Sequence, residues 1–226
     1  MKDTQTIKIP NQQRVWDNIA KKWNEYREIP SPTVVKFLKS IKPNKNKKEE
    51  MKILDLGCGS GRNFIKNSGI IYGVDFSKEM LKHAKEKAKK DNIDVELKQM
   101  KEEKIPFEND FFDAAICVAV LHCLTEKEQI NLMKELYRVV KPKSKVLISV
   151  WSRNSPRLRN KPKECFVPWT VKTRTNERDL EKENEEKHQR YTYIYEDEEL
   201  KEQAESVGFK VLRSWEERNI NIIAEK

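Results

Sequence analysis

No stretch of this sequence approaches the ~20 consecutive apolar residues needed for a membrane-crossing helix, and the opening residues, MKDTQTIKIP, lack the apolar centre of a signal peptide. A cytoplasmic protein with no membrane partner is the expectation. Cysteine and histidine are sparse. Cys58, Cys117, Cys123 and Cys165 form no CxxC pair, and His83, His122 and His188 are the only histidines that could complete a metal site. That spacing argues against zinc. Cys58 lies in a glycine turn and Cys117 in an apolar run, where thiols act as small core residues in a reducing compartment. Neither a metal nor a disulfide is expected, and no internal repeat is evident.

Charge is plentiful. The 226 residues carry 46 Lys and Arg against 37 Asp and Glu, a net +9. A polyanionic partner would suit that excess, but lysine beside abundant glutamate also marks thermophilic or biased composition. Its distribution says more: Lys141, Lys143, Lys145, Arg153, Arg157, Arg159, Lys161 and Lys163 follow one another with no acid among them. The length suits one α/β domain with a substantial core.

The chain divides into four stretches of a single domain, residues 1–226. Residues 1–49 hold two amphipathic patterns, Val15 to Trp23 and Val34 to Ile41, separated by Ile29-Pro30-Ser31-Pro32, which read as two packed helices. Residues 50–151 alternate apolar strands with helices, as in a parallel sheet. Residues 152–190 break that rhythm with three prolines and a charged tract, and read as a basic, charged insertion. Its segment Glu181 to Lys187 reads as a solvated helix or loop. Residues 191–226 supply a helix and a closing hairpin around Arg218-Asn219.

In Leu54-Asp55-Leu56-Gly57-Cys58-Gly59-Ser60-Gly61-Arg62-Asn63 a buried strand runs into a glycine turn that should open a helix. Glycine there allows positive φ and close approach of a ligand. The dinucleotide fingerprint would place a third glycine where Arg62 stands. The tighter Gly57-x-Gly59-x-Gly61 spacing is the one where the amino-acid moiety of S-adenosylmethionine crosses such a turn. Asp75 follows Asp55 by 20 residues and ends the next strand, where a carboxylate can accept two ribose hydroxyls. The plainer role for Asp75 is to cap the following helix, with Ser77 competing for that task. LDLGCGSGRN, GVDFSKEML and FDAAICVAVLHCL, in this order over roughly residues 50–150, resemble the motifs of class I methyltransferases. The resemblance implies a Rossmann-like α/β fold. Its sheet would have seven mostly parallel strands with an antiparallel C-terminal hairpin and helices on both faces. It also implies an S-adenosylmethionine site formed by Asp55, Gly57, Cys58, Gly59, Gly61, Asn63, Asp75, Phe76, Met80, Glu102 and Val118. Glu102 stands for an acid that the class often places after the third strand to meet the adenine amino group, with backbone and Gln99 as the alternative.

The chain lacks the Asn- or Asp-Pro-Pro-aromatic string of adenine amino methylation and the Pro-Cys nucleophile of pyrimidine-ring attack. Val15 to Ala20 with Tyr26-Arg27, Ala119 to His122, Val150-Trp151, Phe166-Val167-Pro168-Trp169, Arg190-Tyr191 and Asn219 to Lys226 together span nearly the whole chain. In this order they resemble a narrower group, the tRNA methyltransferases that esterify the carboxymethyl group of a wobble uridine with a small zinc-binding activator. Lys143-Ser144 replaces a usual Gly-Gly, and Thr192-Tyr193 a usual Tyr-His. The resemblance implies a tRNA anticodon stem-loop as substrate and an activator at the edge strand Asp94–Met100. Arg27 is then the clamp for the carboxylate, and His122, Trp151, Arg153 and Tyr191 form the pocket wall. Two alternatives stay open: a class I methyltransferase for a small molecule or a protein, and a noncatalytic RNA-binding subunit with a degenerate pocket.

Overall fold

The computed structural model of the chain describes residues 8–41, 50–101, 103–177, 180–196 and 198–226, with side chains on all of these but 172–177 and 180–184. Apolar runs bounded by turn residues form the strands β1 (Lys52–Leu56), β2 (Ile70–Asp75), β3 (Val95–Gln99), β4 (Phe112–Val118) and β5 (Val140–Trp151). These pair in parallel in the order β3-β2-β1-β4-β5, and β9 (Asn219–Glu225) and β8 (Lys210–Glu216) extend the sheet antiparallel beyond β5. The seven-stranded, mostly parallel sheet with its antiparallel end is the one expected. Strand order reverses between β1 and β4, the switch point where a crevice forms outside the carboxyl ends of the strands.

Helices cover both faces because the central strands are apolar on both. Val34, Phe37 and Leu38 of α2 (Pro32–Ser40) pack on Ile53, Ala114, Ile116 and Leu147. Ala84 and Ala88 of α3 (Lys78–Asp91) cover Ile71 on the same side. Leu132 and Leu136 of α4 (Glu126–Val139), with Leu200 and Ala204 of α5 (Glu199–Ser206), close the other side over Leu54, Val74, Cys117 and Ile148. Two caps fix the helix starts beside the crevice. The Ser77 hydroxyl accepts the Met80 N–H at 3.1 Å, and the Glu128 carboxylate accepts the Thr125 N–H at 2.7 Å. The N-terminal helix α1 (Gln12–Glu25) packs against α3 and against β7 (Leu180–Tyr193).

Three expectations are corrected. The glycine turn opens no helix: residues 57–63 form successive turns, and Asn67 and Gly69, both at positive φ, return the chain to β2. Only thirteen residues separate β1 from β2, and these breakers leave no run long enough to nucleate a helix. Residues 181–187 lie in a strand, not a helix or loop, since β6 (Glu164–Glu177) pairs antiparallel with β7 in a two-stranded ribbon apart from the main sheet. The ladder satisfies backbone groups that a highly charged helix could also have satisfied. The edge strand is β3, shorter than expected by one residue at each end, with Glu96 and Lys98 in an exposed ion pair at 3.0 Å. At the missing Gly-Gly, Lys143 adopts φ 65°, the conformation glycine would have taken.

Candidate active site

A cavity of about 1090 Å³ lies at the carboxyl edge of the parallel strands. Its floor is made by the ends of four strands: Gly57, Cys58, Gly59 and Ser60 after β1, Asp75 and Phe76 at β2, Gln99 and Met100 at β3, and Val118, Ala119 and Val120 at β4. Trp16, Trp23 and Arg27 from α1 and its exit form one wall, and His122, Trp151, Arg157 and Leu158 another. Ala119 is held at φ 63°, a conformation that costs an L-residue about 1–2 kcal/mol. Such strain concentrates at functional sites.

The three glycines of the turn share positive φ (68°, 54° and 80°) and differ in what surrounds them. A Cβ on Gly57 would stand 2.2 Å from Val120 Cγ2, and one on Gly61 2.7 Å from the Phe64 ring. A Cβ on Gly59 would meet nothing nearer than Met80 Sδ and Trp23 Nε1, both at 4.0 Å. Gly57 and Gly61 are thus required by packing. Gly59 leaves its open side to a ligand. Asp75 Oδ2 accepts the Gly59 N–H at 2.9 Å, and its Oδ1 accepts the Ser77 N–H at 2.9 Å. Burial still pushes the Asp75 carboxyl up to about 6, against the pull of those backbone N–H groups. Asp55 is fully buried beneath the floor, with Oδ2 lacking any hydrogen-bond partner. Burial, with Asp75 nearby, raises it to about 8.

Across the cavity His122 is 1% exposed and stacks on Trp151, ring centroids 4.4 Å apart. Its Nδ1 faces the Trp151 N–H at 3.3 Å, so the proton sits on Nε2. Burial, aided by Arg190, lowers its pKa to about 3, and the ring stays neutral. The Arg190 guanidinium lies among four indoles, with its carbon 5.1 Å from the Trp169 ring centroid and 5.5, 5.6 and 5.8 Å from those of Trp151, Trp23 and Trp16. Arg27 lies 4.8 Å over the Trp23 ring.

A sequence profile described as a methyltransferase domain matches residues 53–143, the stretch from β1 into β5 that builds this floor. The chain has the fold of class I methyltransferases. A crystal structure of an S-adenosylmethionine-dependent methyltransferase from Aquifex aeolicus superposes with a TM-score of 0.61 at 23% identity, covering 92% of this chain and 97% of that one. Two sequence relatives carry the name tRNA (carboxymethyluridine(34)-5-O)-methyltransferase. The Arabidopsis thaliana protein is 34% identical over 154 residues, 67% of this chain and 35% of its own length. The Schizosaccharomyces pombe protein is 28% identical over 232 residues, 94% of this chain and 95% of its own. This chain therefore spans about a third of the plant relative and nearly all of the yeast one.

The cofactor of class I methyltransferases, S-adenosylmethionine, fits this floor. Gly59 offers an open face, Asp75 lines the cavity as an acceptor, and the unpartnered Asp55 carboxyl lies below as a counter-charge for an ammonium. Of the residues expected to hold it, Gly57, Cys58, Gly59, Asn63, Asp75, Phe76, Met80 and Val118 converge on the cavity wall. Gly61 instead packs on Phe64, and Asp55 lies behind the floor. Glu102 falls outside the described residues. Gln99 lines the cavity and donates from Nε2 to the Phe76 carbonyl at 2.9 Å. The helix cap that competed for Asp75 belongs to Ser77.

Of the residues expected to form the pocket wall, Arg27, His122 and Trp151 meet at the cavity, and two do not. Arg153 is turned away, donating to the Lys161 carbonyl and facing Glu196 at 3.4 Å, so it ties down its own loop. Arg157, four residues on, lines the cavity in its place. Tyr191 is 1% exposed and packs in the main core, edge-on to Phe166. Successive strand residues point to opposite faces, so the neighbour Arg190 turns toward the indoles. The pair Arg190-Tyr191 was visible in the sequence, but which member faces the site depends on how the ribbon docks. Trp16 and Trp23 also escaped notice, because an amphipathic helix gives no sign that its indoles cover a cavity instead of a core.

Proposed function

We propose that this protein transfers the methyl group of S-adenosylmethionine to the carboxylate of 5-carboxymethyluridine at the wobble position of tRNA, giving the methyl ester. The observation carrying this reading is that one cavity joins the glycine floor to a chamber walled by Trp16, Trp23, Trp151, Arg27 and Arg157. The names of the plant and yeast relatives support it. Indoles suit an extruded base, and arginines suit an anion and the phosphates beside it.

When bound, S-adenosylmethionine supplies a sulfonium methyl whose C–S bond electrons return to sulfur as the carboxylate oxygen forms the new C–O bond. The acceptor is already an anion, so no general base is required. His122 agrees with this, since a buried imidazole held neutral makes a weak base and a good hydrogen-bond donor through Nε2. Its stacking on Trp151 fixes both rings against the cavity. The indoles exclude water from the acceptor and hold it in line for attack. The positive field of Arg27 and Arg157 at the mouth draws the anionic RNA inward.

A small zinc-binding activator pairs with the free edge of β3 in this reading, and the enzyme works in the cytoplasm. The deciding experiment incubates the protein, labelled S-adenosylmethionine and tRNA bearing 5-carboxymethyluridine, with and without a candidate activator, then digests the RNA. Label in the methyl ester nucleoside is the expected result. Label confined to protein or small molecules, with none in tRNA under either condition, sinks the reading.

A further inference from the structure

Arg190 carries a positive charge that the described residues leave unanswered. It is 6% exposed, its Nε has no hydrogen-bond partner, and no carboxylate among the described residues pairs with it. The indoles of Trp16, Trp23, Trp151 and Trp169 surround it, and the first three of these line the cavity, so that Arg190 stands one ring's thickness behind the cavity wall and not in it. Aromatic faces attract a cation but carry no net charge. A buried ion with no counter-ion is costly, and proteins seldom keep one without a use. Burial weakens its hold on its proton, and the positive charges of Arg27 and Arg157 weaken it further. His122, against Trp151, is neutral and offers no counter-charge.

We propose that Arg190, and not the more exposed Arg27, is the seat of the acceptor's carboxylate, its guanidinium meeting the two oxygens inside the indole box. The inference rests on the proposed reaction and names the residue that selects its substrate. The planar fork of a guanidinium matches a carboxylate bidentately, and the surrounding rings keep water from screening the pair. Selectivity follows for both ends of the reaction. The anion gains a partner on entering, and the neutral ester loses it, so product binds more weakly than substrate.

The test uses anticodon stem-loop RNAs bearing either 5-carboxymethyluridine or the neutral 5-carbamoylmethyluridine, titrated onto the full chain with S-adenosylhomocysteine and followed by tryptophan fluorescence. Wild type is expected to bind the carboxylate form at least roughly 30-fold more tightly, the lower end of the loss expected when a buried charge is left without its partner. Arg190→Met should abolish the preference. Arg27→Ala should weaken both RNAs about equally. Arg190→Met should also melt no lower than wild type, because it replaces an unpaired buried charge with an apolar chain of similar length. A melting temperature lowered by more than about 5 °C would instead assign the guanidinium to packing. Arg190→Lys keeps the charge without the fork and should retain only part of the preference. Equal binding of the two RNAs by wild type, or a full preference surviving in either Arg190 variant, overturns the proposal. No methyl transfer is needed for this readout. If tRNA is never esterified but the carboxylate preference depends on Arg190, the reaction is wrong and the anion seat stands; ester formed by Arg190→Met at the wild-type rate means the reverse.

Discussion

The carboxylate of Asp75 holds the backbone of Gly59 at 2.9 Å, so the end of β2 is tied to the turn that follows β1. Two adjacent parallel strands thereby share one rigid floor, and the same side chain that lines the cavity also shapes the turn beneath it. Asp75→Ala removes both functions at once. Loss of about two charge-assisted hydrogen bonds to ribose corresponds to a drop in S-adenosylmethionine affinity of at least ~100-fold. Calorimetric titration checks this, with circular dichroism confirming the fold, and an unchanged affinity would remove Asp75 from the ribose.

The glycines of the turn should respond differently to the same small change. Gly57→Ala places a methyl 2.2 Å from Val120 Cγ2 in a positive-φ backbone, so it should destabilise the protein by roughly 2 kcal/mol or more. Gly59→Ala meets only atoms at 4.0 Å. It should cost about 1 kcal/mol of backbone strain but block the cofactor. Denaturant melts paired with cofactor titrations separate the two, and equal stability losses would mean that the open face of Gly59 is not reserved for a ligand.

Asp55 links folding and binding to pH. Burial raises its carboxyl to about 8 and that of Asp75 to about 6, whereas an unfolded aspartate ionises near 3.9. The folded state therefore holds extra protons, and the stability this provides, complete below about pH 4, is lost as pH climbs toward 8 for Asp55 and toward 6 for Asp75. Asp55→Asn should gain stability relative to wild type steadily between pH 4 and 8. An ammonium brought near Asp55 favours its ionised form, so binding should expel a proton near neutral pH, measurable as buffer-dependent heat. A pH-independent stability difference and a buffer-independent heat would both contradict the assignment.

Arg157 and Arg153 stand four residues apart in one basic loop and should differ in their effect on RNA. Arg157→Ala removes a cation at the cavity mouth and should reduce the slope of log affinity against log salt by about 0.7. Arg153→Ala should leave that slope unchanged while loosening the loop bound to Lys161 and Glu196. Filter binding across a salt series distinguishes them.

Legibility varied with how local each signal was. Five strands and the C-terminal hairpin could be read from apolar runs between turn residues, because burial on both sheet faces demands such runs. The charged tract from Glu181 to Lys187 misled, since a ribbon away from the main sheet needs no apolar face to pair its backbone. Glycine spacing and the Asp55 to Asp75 interval pointed to the turn and strand end that floor the cavity. The same glycines could not reveal that Gly61 serves Phe64 while Gly59 serves the cavity, because that difference lies in neighbours far along the chain.

Fold class and cavity floor were thus written in local pattern: strand, turn and carboxylate follow one another within a few dozen residues, and short-range sterics leave few other arrangements. The cluster of indoles around Arg190 was decided in three dimensions. It gathers Trp16 and Trp23 from one helix, Trp151 from the sheet, and Trp169 and Arg190 from the ribbon. Strand alternation makes a one-residue step decisive, so only the docking of that ribbon could send Arg190 to the indoles and Tyr191 to the core.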